Sequence, residues 1–449
     1  MSRVIATGLV LAIVFSALSF GTVEPWSITG FCLLIIALAL LWTIQTIYEK
    51  QISLQLYPLM LPPALFVLYG AIQSLAIRQS DGETASLSMD VEATRHALPM
   101  LFCLFLAFML AGNFLNTAAR LGNLTAFLTF YGLALAVFAL VQYFTWDGKF
   151  YWIRPTKGTA FGPFINRNHF AGYMEMLIPL PVALIITRVI RKDLWLLYGF
   201  AAVLMCVAVV VSLSRGGMIS VAAGLLFMAI LKSRLRNQRQ AKEATSKPRV
   251  FLKRAAATLA ITGLLFAGIV WLDAKQVLQR AADTLGGATT TQEDFLSRSW
   301  IWRDTGAMIR AQALFGVGIG AYEKVFPIYG SNTSNYIVVT HSHNDYLQVL
   351  ADTGLIGGAL MVWFLMLLFR AMWQSVRSPD ALLAGVALGC SGGVFALLVH
   401  SFFDFNLQIP SNALLFLMLS AIIAHIASGV RQPEETIEKA AALSVVKAA

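Results

Sequence analysis

Runs of apolar residues recur along the chain, each close to the ~20 residues a helix needs to cross a ~30 Å hydrocarbon layer. They lie near residues 4–23, 27–48, 57–77, 97–115, 122–145, 169–187, 194–213, 216–232, 255–272, 346–369, 381–400 and 408–428. Backbone inside hydrocarbon must satisfy its own hydrogen bonds, so runs of this length predict helices. The pattern predicts an all-α polytopic membrane protein with about twelve spans. Pro58, Pro62 and Pro63 should kink or delay the third helix. A short basic start followed at once by an apolar run, with no clear cleavage site, reads as a first helix and signal anchor.

Between the runs, one polar segment dominates. The stretch from Asp273 to Asp345 is too long for a simple connection. Its central SRSWIWRDTGAMIRAQ reads as helix, and LFGVGIGAY ends that helix with three glycines. The expected organisation is therefore N-terminal membrane helices over 1–190, a central unit over 191–370, two further helices over 371–430, and a polar tail over 431–449.

Composition sharpens this picture. The 449 residues are 58% hydrophobic and only 12% charged, against about 25% charged in a soluble globular chain. Disorder, a collagen-like fibre and a disulfide-stapled scaffold are excluded. The net charge of +10 raises nucleic acid as a partner until the charge is located. Nine Lys and Arg lie between Lys232 and Arg254, with Glu243 as the only acid. That segment reads as a cytoplasmic loop obeying the positive-inside rule and touching anionic membrane lipid. It has no stacking aromatics and no groove-reading motif, so nucleic acid is rejected. Cys32, Cys103, Cys206 and Cys390 all fall inside apolar runs and read as small buried hydrophobes.

The basic residues alternate between loops. Lys50, Arg120, Arg188, the 232–254 cluster and Arg370 mark one side, and Arg3 and Arg431 put both termini there. Segments 146–168, 213–217, 273–345 and 401–407 then face the opposite, outer side.

These outer segments hold the residues with chemical potential. Arg215, in Ser212-Leu213-Ser214-Arg215-Gly216-Gly217, is either a snorkelling anchor or an anion ligand. His341-Ser342-His343-Asn344-Asp345 precedes the tenth helix. Asn344 or Asp345 can cap that helix, but capping does not explain two histidines. A histidine in an outer cleft can act as a general base. Metal is disfavoured, because no further ligand stands at a familiar spacing. Arg298 and Arg303 flank Trp300 and Trp302, either as an interfacial helix or as a diphosphate clamp. Arg167 could contact the same anion, with Asn168 capping the sixth helix. Asp404 could pair with an arginine or orient a histidine.

His343-Asn344, nine residues, then Gly354-Leu355-Ile356-Gly357 resembles the His-[Asn/Ser/Gln]-x9-Gly-x-x-[Gly/Thr/Tyr] motif of bacterial O-antigen ligases. HSHNDYLQVLADTGLIGG, SLSRGG and SRSWIWRDTGAMI followed by LFGVGIGAY resemble the shared ligase/polymerase domain in the same order, over about residues 195–370. GPFINRNHFAGY and HSFFDFNLQIPSNA extend the resemblance more loosely.

The resemblance implies a glycosyltransferase of the bacterial inner membrane, without a cofactor or metal. Its donor would be a glycan on undecaprenyl diphosphate. The acceptor would be a second glycan or lipid A–core at the periplasmic face, in O-antigen or exopolysaccharide assembly. It assigns His343, Arg215 and Arg298 as catalytic; Arg303, Arg167, His341, Asn344, Asp404 and Trp300 are expected around the substrate from their own positions. Direct attack implies inversion at the anomeric carbon. Two other readings stand beside it: a protein O-oligosaccharyltransferase, and a transporter resembling relatives labelled as inorganic-carbon transporters. A transporter is expected to place ionisable residues at midplane, whereas here the polar residues gather at the outer face.

Overall fold

The structure, a computed structural model, describes residues 1–50, 54–78, 84–155, 160–240, 289–331 and 338–448. It is helical almost throughout. The first half holds α1 (Ser2–Leu18), α2 (Pro25–Glu49), α3 (Leu61–Gln73), α4 (Val91–Phe114), α5 (Ala118–Phe144), α6 (Arg167–Leu177), α7 (Pro179–Ile186) and α8 (Trp195–Val211). The second holds α9 (Arg215–Gln240), α10 (Thr289–Ala311), α11 (Tyr322–Tyr329), α12 (Asp345–Ser375), α13 (Ala381–His400) and α14 (Pro410–Ala448). Two short antiparallel hairpins, Ala76–Arg78 with Thr84–Ser86 and Lys149–Phe150 with Arg154–Pro155, are the only paired strands among the described residues.

Among those residues nine helices are long and apolar enough to cross a membrane, and Ser2–Leu18 and Pro58–Gln73 form shorter apolar helices. The chain is an all-α polytopic membrane protein. The expected ninth span, 255–272, lies outside the described residues. The prolines delay the third helix: a short 3-10 turn over Pro58–Met60 leads into α3, with Pro62 in its first turn, where the missing amide costs nothing. The eighth run does not stop at 232. Helix α9 continues to Gln240, so the first nine residues of the expected basic loop are helical.

Helix α13 is buried along most of its length and packs against α6, α7, α9 and α14. Its small residues allow this. The added Cβ of an alanine at Gly392 would sit 3.0 Å from Pro179 of α7, and one at Gly224 of α9 would sit 2.9 Å from Ala396. Without much apolar drive between helices inside lipid, such close backbone approach supplies the packing energy.

The loop glycines do more than end α10. Helix α12 is broken at Gly354 (φ 59, ψ −156), a conformation that is almost glycine-only. The freed backbone is taken up by the segment after α10. Leu355 N–H donates to Ala313 O at 2.8 Å, Val317 N–H to Ala351 O at 2.9 Å, and Gly318 N–H to Asp352 O at 2.9 Å. Gln73, fully buried at the end of α3, donates to Phe315 O (2.8 Å) and Asp352 O (3.1 Å) and accepts from Ile319 N–H (3.2 Å). The break therefore fixes the C-terminal end of α10 against α12 and α3. The exposed backbone that a broken span would present is satisfied inside the protein, as hydrocarbon requires.

Candidate active site

Asn344 is the residue that caps α12. Its Oδ1 accepts from Tyr346 N–H and Leu347 N–H at 3.0 Å each, and its Nδ2 donates to Phe402 O at 3.1 Å. Asp345, the other candidate cap, instead ties down the turn after α13. Its carboxylate accepts from Ser401 Oγ–H (2.8 Å) and Leu407 N–H (3.1 Å). Segments 341–345 and 400–407 thus form one body, although 55 or more residues separate them in sequence.

His343 lies within this body with φ +52, a left-handed conformation uncommon outside glycine. The turn it makes aims the ring at Asp404, and His343 Nδ1 lies 3.3 Å from Asp404 Oδ1. The carboxylate is 1% exposed and the imidazole 32% exposed, so a buried anion holds a partly exposed ring. A carboxylate oxygen can only accept, so Nδ1 carries the proton and the basic lone pair is on Nε2. Asp404 is itself held on both oxygens: Asn168 Nδ2–H donates to Oδ2 at 2.6 Å and Phe405 N–H to Oδ1 at 2.9 Å. Burial pushes the Asp404 carboxyl up. The hydrogen bond with His343 and the nearby imidazoles of His169, His343 and His400 outweigh burial and hold it below the ordinary carboxylate range.

Phe405 organises the remaining rings. His341 stacks on it in parallel, with centroids 4.4 Å apart, while His169 and His343 meet it edge-on at 4.8 and 4.9 Å. Burial, then the neighbouring His343 and His169, push His341 down to about 4 against the opposing pull of Asp404. His341 is thus neutral at physiological pH.

The arginines border the same turn. Arg298 Nη1–H donates to Phe403 O at 2.9 Å, one residue from Asp404. Arg303 points elsewhere: it pairs with Asp304 at 3.1 Å and bonds Ser331 Oγ. Arg215 is the first residue of α9 and is exposed. Ser214 caps that helix, accepting from Gly217 N–H at 3.2 Å. A Cβ on Gly216 would sit 2.7 Å from His400 Nε2 and 3.5 Å from Phe403 Cβ. The paired glycines after Arg215 therefore let the helix start press onto the turn that carries Asp404. The positive dipole end of α9 makes this a favourable place for an anion.

Two expected roles change. The α6 cap is Asn166, which accepts from Asn168 N–H at 2.8 Å, so Asn168 is freed to bond Asp404. Trp300 packs on Phe326, ring centroids 6.0 Å apart, in a small apolar core under α11. Trp302 is the tryptophan that reaches the histidine segment, donating from Nε1 to Ser342 O at 2.9 Å. Arg167 begins α6 beside Asn168. The sequence reading missed Glu175, His169 and Phe405. Glu175 carried a usable signal, because it is the only acid in its apolar run. Nothing in sequence joins His169 or Phe405 to His343.

The loops of this polytopic helical membrane protein gather a His–Asp pair and two arginines at one end of the bundle. Residues 200–362 match the O-antigen ligase family, and the chain carries a domain of the O-antigen ligase/polymerase superfamily. The matched region holds Arg215, Arg298, His343 and the Gly354 break; Asn168 and Asp404 lie outside it. Comparison with curated proteins gives no match.

Proposed function

We propose that the protein is an inner-membrane glycosyltransferase that moves a glycan from undecaprenyl diphosphate to an acceptor hydroxyl at the periplasmic face. The family domain supports a membrane glycosyltransferase of the ligase/polymerase type. The observation that carries the finer reading is the His343–Asp404 pair, with Arg298 anchored one residue away on Phe403.

His343 Nε2 takes the proton from the acceptor hydroxyl. The acceptor oxygen attacks the anomeric carbon as the bond from that carbon to the diphosphate oxygen breaks, and the electron pair leaves on the diphosphate. Attack opposite the leaving group inverts the configuration. Asp404 keeps the imidazole in the tautomer with a free Nε2 and stabilises the imidazolium that forms. Arg298 and Arg215 offer planar donors to the charge that develops on the diphosphate. His341, Asn344 and Arg167 border the substrate rather than react with it, while Arg303 is held away by Asp304.

The test is transfer from an undecaprenyl diphosphate glycan by the detergent-solubilised protein, with products resolved on a gel. A ladder of lengthened lipid-linked glycan marks a polymerase; a single shifted band on lipid A–core marks a ligase. Folded His343→Ala is expected to lose at least ~100-fold in rate, the usual contribution of a positioned base. Wild-type transfer by that variant would remove His343 as the base.

A further inference from the structure

The mechanism above leaves one buried ionisable pair unused. Glu175 on α6 is fully buried, and its Oε2 lies 2.9 Å from Nδ1 of His400, itself 1% exposed. The other oxygen, Oε1, has no hydrogen-bond partner among the described residues. A half-satisfied carboxylate inside a membrane protein is costly, and such residues mark function more often than stability.

Its place on α6 points to what it does. Asn168, Ala171, Gly172 and Glu175 follow the spacing i, i+3, i+4, i+7, so they share one helical face. Asn168 bonds Asp404 at 2.6 Å. A Cβ on Gly217, two residues past Arg215, would sit 2.6 Å from the Cβ of Ala171. The close approach at Gly172 is to Asn406. Glu175 bonds His400. One face thus touches both elements that carry reactive groups: the start of α9 with Arg215, and the turn with Asp404.

His400 joins the two. Its ring lies against Gly216, and its carbonyl accepts from Phe403 N–H (2.7 Å) and Asp404 N–H (3.1 Å), the bonds that begin the turn. We infer that the Glu175–His400 pair is a positioning clamp, which sets the diphosphate-binding arginine at the start of α9 in register with the His343–Asp404 base. The inference rests on the proposed reaction for its kinetic consequence, but not for its geometric one.

The test compares wild type with Glu175→Leu, Glu175→Asp and Glu175→Gln in detergent, using two readouts. The first needs no turnover: the rate at which diethyl pyrocarbonate modifies His343, followed by peptide mass spectrometry. Glu175→Leu and Glu175→Asp are expected to raise it at least ~3-fold by loosening the turn. Glu175→Gln, which keeps an acceptor for His400, should restore most of the protection. The second is transfer kinetics. Glu175→Leu should lower kcat ~10-fold or more, because misplacement of about 1 Å costs rates of that order, and raise donor KM as Arg215 shifts.

If Glu175→Leu does not fold, Glu175→Asp carries both readouts with a carboxylate one methylene short. Wild-type His343 reactivity in the folded Leu or Asp variant overturns the clamp, whatever reaction the enzyme performs. So does a uniform loss of folded protein with unchanged kcat per folded molecule, which is the signature of a purely structural pair. If wild type transfers no glycan, the proposed reaction fails, and the His343 reactivity series still decides the clamp.

Discussion

At the scale of single residues, the site is a problem of keeping one lone pair basic and correctly aimed. His343 achieves this by accepting an unfavourable φ of +52 in exchange for a bond to a buried carboxylate. Asp404→Asn keeps the shape, but its amide can present a donor to Nδ1 and so favours the wrong tautomer. It should lower kcat by ~100-fold or more with little change in KM, measured by steady-state transfer. Acid should act on the same cluster in a fixed order. His341 titrates lower in the folded protein than the ordinary ~6.5, so the stability it contributes is full above that value and is lost as pH falls towards about 4. Asp404 is also depressed, so its contribution holds above the ordinary ~3.9 and is lost below it. A thermal melt series should therefore fall between pH 6.5 and 4 and again below; His341→Phe should shrink the first step and leave the second.

At the scale of elements, the two halves of the His343-Asn344-x9-Gly354 spacing do different work. Asn344 starts α12 and ties it to Phe402, while Gly354 breaks α12 so that residues 313–318 dock into it. Those residues end the helix that carries Arg298, so ten residues of α12 set the distance between Arg298 and His343. A Cβ at Gly354 would run into the Leu314 carbonyl and would also strain the backbone. Gly354→Ala should cost about 1–3 kcal/mol, seen as a lower Tm, and should depress transfer with Arg298 untouched in sequence. Gly216→Ala tests the other helix start. Its methyl would meet His400, so donor KM should rise more than kcat falls.

At the scale of the whole molecule, segments 166–169, 213–217, 341–345 and 400–407 converge at one end of the helical bundle. The cluster of Lys and Arg over 232–254 is expected at the other, and its later part, 241–254, lies outside the described residues. Orientation is then one experiment. In a variant whose Cys32, Cys103, Cys206 and Cys390 are replaced, a single cysteine at Ser299 should react with an impermeant maleimide added outside intact cells. A single cysteine at Ser246 should react only after the membrane is opened. The reverse pattern would place the site on the cytoplasmic face and sink the periplasmic reading.

Apolar runs of spanning length made the helical class legible from sequence, because in hydrocarbon the backbone leaves a chain few alternatives. The local motifs were legible too: a cap at Asn344 or Asp345, the glycines beside Arg215 and the helix bearing Arg298 each depend on neighbours within a few residues. Which groups meet was not. Asp404 was an open choice between an arginine and a histidine until the fold set it 3.3 Å from His343, 61 residues away. Asn168 passed for a cap until Asn166 took that bond, and Glu175 lay unnoticed in an apolar run 225 residues from His400. Arg298 and Arg303 are equivalent by spacing, and only the packing of α10 directs one to Phe403 and the other to Asp304. Hydrophobic periodicity records which face of a helix is buried, whereas pairing across the bundle depends on helix rotation and depth, which the close contacts of glycine and alanine decide.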